Sequence, residues 1–255
     1  MSDDGEIRWV IKLEGSQWDL DFWKEAFTSP PYEVHMLPTQ VDGTDMAPCV
    51  WIPEVADLVG EEFVLKTRDI FGLLNGIAAV ARYGNIGQVR PGHYYPFSRD
   101  WKLIREKMNS KSTASGKIGF NFTVNLNNPI SDIHRWNNII LHSEYFQDAI
   151  KYYSQSLNSD YPWVDLYNAR EVMFKWPELD KNARRCRIAR LHESAGTGED
   201  VWKNFLDTAN HHRHSGLDQP GPQEPMTLVA ARRYVGRLIR AALDEAAEGG
   251  EVRQP

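Results

Sequence analysis

Cysteine is scarce: Cys49 and Cys186 are the only two in 255 residues. No pair has zinc-finger or redox spacing, which excludes a cysteine zinc module, a Cys-x-x-Cys redox motif and a disulfide-dense scaffold. The expected setting is reducing, with both thiols buried. Long apolar runs are missing as well. No stretch approaches the roughly 18 residues that a membrane-spanning helix needs. The opening residues MSDDGE are acidic and carry no apolar core, so a secretory signal is not expected either. The expected location is cytoplasmic, with no membrane partner, and the sequon at Asn121 is then without consequence.

Several catalytic signatures are absent too. There is no Gly-x-x-x-x-Gly-Lys-Ser/Thr phosphate loop, because Gly116-Lys117 is followed by Ile118. There is no Gly-x-Ser-x-Gly elbow, no Gly-x-Gly-x-x-Gly fingerprint and no His-Glu-x-x-His zinc motif. No cofactor and no metal are expected, and whether the chain is an enzyme stays open at this point.

Aromatic residues, in contrast, are abundant. Nine Trp, ten Phe and ten Tyr, within 42% apolar residues, suffice for a packed core. Charge is uneven along the chain. Residues 1–60 hold three basic and twelve acidic residues, whereas residues 178–240 hold eleven basic and eight acidic. A chain polarised in this way can attract an anion at its basic end, although solvated surface explains the same pattern.

The first half alternates strand and helix signals. Ile7, Trp9, Ile11 and Leu13 alternate with more polar residues and predict a strand. Ser16 and Asp19 form a capping pattern for a helix through Leu20, Trp23 and Phe27, which Pro30-Pro31 stops. Short strands follow around Tyr32–Met36 and Cys49–Ile52. Glu61–Tyr83 predicts a strong helix whose Gly72 and Gly76 imply close packing. A polar, Ser-rich connection spans residues 99–117, and alternation in Ile118–Leu126 predicts the clearest strand.

After Asn127-Asn128-Pro129 the pattern turns helical. A long helix is expected from Ser131 to Leu157, and another from Pro162 to Phe174. A basic one follows over 180–192. Thr197 and Asp200 suggest the cap of a helix running through Val201, Trp202 and Phe205 into Asn210-His211-His212-Arg213-His214. Thr227 caps a last helix, with Arg233, Arg237 and Arg240 on its outer face. The expected class is α+β: a mixed α/β part with a mainly antiparallel sheet over 1–128, then an all-α bundle over 129–255.

The segments WVDLYNAREVM (Trp163–Met173), FLDTANHHRHSG (Phe205–Gly216) and PMTLVAARRYVGRLI (Pro225–Ile239) resemble a pattern shared by uncharacterised bacterial proteins. Those pair a strand-rich N-terminal region with a helical C-terminal region similar to HEPN domains. The resemblance implies a HEPN-like bundle that dimerises. It further implies RNA or nucleotide binding in defence or toxin–antitoxin regulation, with metal-independent ribonuclease activity. The HEPN nuclease signature is an Arg followed, after about four to six residues, by a His. Arg187 with His192 fits that spacing, as do Arg185 with His192 and Arg135 with His142, and such matches also arise by chance.

RNA cleavage without metal needs a proton acceptor, a proton donor and a cation. The candidate catalytic residues are Arg187, His192, Arg213 and His214. Residues five apart on a helix are offset by about 140°, so Arg187 and His192 should not face each other neatly. The candidate nucleic-acid contacts are Arg184, Arg190, Arg233 and Arg237. His211, His212 and His214 have two rival readings: a metal site, which wants three or four converging ligands, or a set of cations that suits a helix C-terminus. The rival to a nuclease is a non-enzymatic module that dimerises or docks a protein partner.

Overall fold

The computed structural model describes residues 8–39, 45–82, 84, 87–97, 129–175, 180–213 and 222–248. The polar connection 99–117, the strand expected over 118–126 and His214 lie outside the described residues. The chain is α+β and divides into two compact units. One holds residues 1–71 and 86–125, the other 72–85 and 126–255.

The first unit is built on strand β1 (Arg8–Glu14), helix α1 (Gln17–Ala26), strands β2 (Val34–Pro38) and β3 (Met46–Trp51), the start of α2 (Gly60–Ala81), and β4 (Arg90–Phe97). The strands form one sheet in the order β2-β3-β1-β4, and every pairing is antiparallel. Alternation along β1 suggests one more polar face, yet Val10 and Ile11 are both fully buried. The reason is an apolar cluster of Val10, Leu37, Cys49, Tyr95 and Phe97 on Val10's side of the strand. Ser16 caps α1 as its spacing predicts: its hydroxyl accepts from the Asp19 N–H at 3.2 Å and donates to Asp19 Oδ2 at 2.6 Å. The other Asp19 oxygen accepts from the Gly87 N–H at 3.1 Å. A Cβ at 87 would stand 2.4 Å from Asp19 Oδ2, so a larger residue there would have to displace the Asp19 carboxylate.

The second unit is helical. It contains Gly72–Ala81 of α2, then α3 (Pro129–Leu141), α4 (Glu144–Gln155), α5 (Pro162–Lys175), α6 (Lys181–Ser194), α7 (Glu199–Arg213) and α8 (Leu228–Glu248). The single helix expected over Ser131–Leu157 is two. Gln147 ends the first by donating from its amide to the Ile140 and Leu141 carbonyls, which satisfies two C-terminal acceptors at once. Helix α8 packs against α3, α4, α5, α6 and α7 and buries Tyr234, Val235, Leu238, Ile239 and Leu243. Burying side chains of that size contributes about 1.5–3 kcal/mol each. Arg240, expected outside, is turned inward. It pairs with Asp132, donates to the Ala81 carbonyl at 3.1 Å and lies over the Trp136 ring. No described helix is long and apolar enough to cross a membrane.

Candidate functional site

Helix α6 carries the first candidate pair. Asp180 starts the helix by accepting from the Asn182 and Ala183 N–H groups at 2.8 and 3.0 Å, which holds its carboxyl below the usual range. Arg187 follows on the face turned toward α5 and α8 and is only 2% exposed. Its Nε donates to Glu245 Oε2 at 2.8 Å, and its Nη1 donates to the Met173 carbonyl at 3.0 Å. Burial lowers the Arg187 pKa, and the Glu245 charge opposes that shift. Arg190, one turn along, reaches Glu245 Oε1 at 3.3 Å from an exposed position.

His192 is buried, at 7% exposed, among rings from three helices. It stacks on Tyr234 of α8 at 5.9 Å and 13°, and lies tilted against Phe174 of α5 and Trp202 of α7. Its Nδ1 is 3.1 Å from Thr197 Oγ1, and that hydroxyl is 3.0 Å from the His192 carbonyl. A hydroxyl has one proton to give. The His192 carbonyl also accepts from the Thr197 N–H at 2.9 Å, so the hydroxyl proton can serve either that carbonyl or Nδ1, and the ring tautomer follows from that choice. Nε2 is buried, with no hydrogen-bond partner among the described residues. Burial, and then the Arg170 charge, push the His192 pKa down to about 4, so the ring is neutral at neutral pH. Thr197 is thus occupied here and does not cap α7 as its spacing suggests.

Arg187 and His192 therefore turn to different partners, as the offset of about 140° between them predicts. Arg187 answers to Glu245 and the Met173 carbonyl, and His192 answers to Thr197 and Tyr234. A second pair that fits the signature is dispersed as well. Arg135 pairs with Asp132 and Asp244, while His142 Nδ1 meets the Asn138 carbonyl at 2.8 Å.

The C-terminal turn of α7 is different in kind. Asn210, His211, His212 and Arg213 are all exposed. Helix α5 meets them with Trp163 and Tyr167, four residues apart and so on one face. The His212 ring lies parallel to the Trp163 indole, at 5.0 Å between centroids and 5° between planes. The Arg213 guanidinium lies 3.9 Å above the Tyr167 ring. Its Nη1 is 3.4 Å from Asn210 Oδ1, which restrains the plane. Cations suit the negative end of a helix dipole. Among the described residues no group of three His, Cys, Asp or Glu is placed to hold a metal ion.

The remaining candidate cations are at the surface. Arg184 on α6 and Arg233 and Arg237 on α8 are exposed, as is Arg190. The sequence did not single out Trp163 and Tyr167 as partners of the histidine-rich turn. Their four-residue spacing is visible, but it serves core packing equally well. Cys49 is buried, and its thiol is pushed up to about 12 by burial. Cys186, expected buried, is exposed, because it lies on the opposite side of α6 from Leu191. Comparison with protein-family models, with curated proteins and with solved structures finds no match to this chain.

Proposed function

We propose that the helical unit recognises RNA or nucleotides through its exposed cations, as a HEPN-like module in defence or regulation. In this reading Arg187 and His192 serve the packing of the bundle. The observation that carries it is the division among the candidate residues. Arg184, Arg190, Arg213, Arg233 and Arg237 face solvent, whereas Arg187 and His192 are buried and engaged. Phosphate recognition needs accessible cations, and a buried neutral imidazole is badly placed to exchange protons with a substrate. Any metal-independent cleavage would then fall to Arg213 with His214.

Filter binding of RNA over a range of salt tests the binding. Affinity should fall steeply as salt rises. Absence of salt-sensitive binding at low ionic strength would remove the reading. Incubating total RNA with wild type, Arg187→Ala, His192→Ala and His214→Ala separates binding from cleavage. Products that vanish only in the His214 variant support cleavage by Arg213 with His214, and absence of products from wild type leaves a binder.

A second reading, a dimerising or partner-docking module, draws on Val59, Val64 and Leu65 near the start of α2, all of which are exposed. Light scattering across a concentration series tests the homodimer.

A further inference from the structure

The helical unit joins two aromatic rings of one helix to two cationic or ionisable planes of another, at an exposed edge. Trp163 and Tyr167 belong to α5, and His212 and Arg213 to α7. Each ring of α5 covers one face of its partner: the indole covers the imidazole, and the phenol covers the guanidinium. His212 and Arg213 are themselves exposed. The planes are thus held from beneath and presented outward. Asn210 Oδ1 restrains the guanidinium from the side, and His211 stands edge-on to His212 at 5.9 Å and 69°.

A guanidinium plane stacks with a flat heterocycle through its face and offers N–H donors around its rim. One group can therefore meet a base and its phosphate together. A cation held flat on an aromatic ring loses less freedom on binding than a solvated arginine, so the site is preorganised.

We propose that the edge formed by Trp163, Tyr167, His212 and Arg213 is a stacking platform for an unpaired nucleobase together with its phosphate. This rests on the reading that the helical unit binds nucleic acid or nucleotides, and it narrows the ligand to one whose base face is exposed. Duplexes hide their base faces and offer only phosphates to such a surface. Arg184, Arg233 and Arg237 are spread over other parts of the unit and contribute charge without sequence or strand preference.

The test uses the full chain and fluorescence anisotropy with a short labelled oligoadenylate. The corresponding DNA, an RNA duplex of equal length, AMP and inorganic polyphosphate act as competitors. Single strands of either sugar should compete at least roughly tenfold better than the duplex, as base stacking predicts. Competition by AMP near the oligonucleotide's own affinity identifies a free nucleotide as ligand, and weak competition identifies a strand. Arg213→Lys keeps the charge and loses the plane. It should weaken the single strand roughly tenfold while leaving the salt slope unchanged. Arg233→Ala should weaken single strand and duplex alike and reduce the slope by about one. Circular dichroism checks that each variant is folded, which is expected because both positions are exposed.

Wild-type affinity in Arg213→Lys, or equal affinity for duplex and single strand, overturns the platform while leaving RNA binding in place. Competition by polyphosphate as strong as by the single strand does the same. Absence of binding by any of these probes at low salt removes the platform and the wider reading together.

Discussion

The Thr197 hydroxyl lies 3.1 Å from His192 Nδ1 and 3.0 Å from the His192 carbonyl, which ties the ring to the turn that follows its own helix. The imidazole is neutral at neutral pH and stacks on Tyr234, with Nε2 buried and without a hydrogen-bond partner among the described residues.

Acid should destabilise the helical unit through this residue. The folded-state pKa of His192 is lowered to about 4 from an unfolded value near 6.5. The unfolded chain therefore binds more protons between those values, and stability rises with pH across that window. The contribution is fully present above about pH 6.5 and is lost as pH falls toward 4. Between pH 7.5 and pH 5 it amounts to about 2 kcal/mol. Urea unfolding at the two pH values measures it. His192→Gln should be less stable at pH 7.5 and should lose less on acidification, and identical pH sensitivity in the two proteins contradicts the assignment.

Breaking the Arg187–Glu245 pair should depend on which partner is removed. Arg187 is almost wholly buried, so Glu245→Ala removes the carboxylate that its Nε uses and weakens the counter-charge to an interior guanidinium. Arg187→Met leaves Glu245 partly exposed and still beside Arg190. Loss of a carboxylate from a buried pair costs up to about 3–5 kcal/mol, whereas an apolar replacement of the buried member costs less. Thermal melts should rank Glu245→Ala below Arg187→Met.

Two alanine substitutions on α2 should differ in sign. A Cβ at Gly76 would stand 2.5 Å from Ile150 Cγ2 and 2.6 Å from the Ile150 carbonyl oxygen. Gly76→Ala should cost about 1–3 kcal/mol through overpacking. A Cβ at Gly72 meets nothing within 4 Å. Gly72→Ala should gain up to about 1 kcal/mol from helix propensity. Denaturation midpoints of the two variants provide the comparison.

The two thiols should react at separate stages. Cys186 is exposed and should titrate with a thiol reagent in the native protein. Cys49 is buried with a raised pKa and should react only after unfolding. One equivalent of modification before denaturant and two after is the expected count, and two at once would place Cys49 at the surface.

Local signals in the sequence carry much of this fold. Ser16 and Thr227 cap helices where their spacing says they should, because a cap depends on neighbours within three residues. No strand is expected from the sequence over 90–97, and Pro91 and Pro96 are compatible with the outermost place that β4 takes among the described strands. The break at His142-Ser143 depends on the Gln147 side chain, and periodicity carries no record of it.

The candidate site was legible as a list of cations and opaque as a geometry. Arg240 reads as an outer residue by helical period, but Asp132, a hundred residues earlier in the chain, turns it inward. Arg187 and Arg184 look alike in sequence, and only the position of Glu245 separates a buried ion pair from a surface charge.

Gly72–Ala81 belongs to the helical unit although β4 comes after it in the chain. A fragment beginning at Pro129 would lack the Ala81 carbonyl that Arg240 uses and the Gly76 seam that accommodates Ile150. The bundle is therefore not a cassette that recombination could excise with one cut. Its inheritance is tied to the segment that precedes β4.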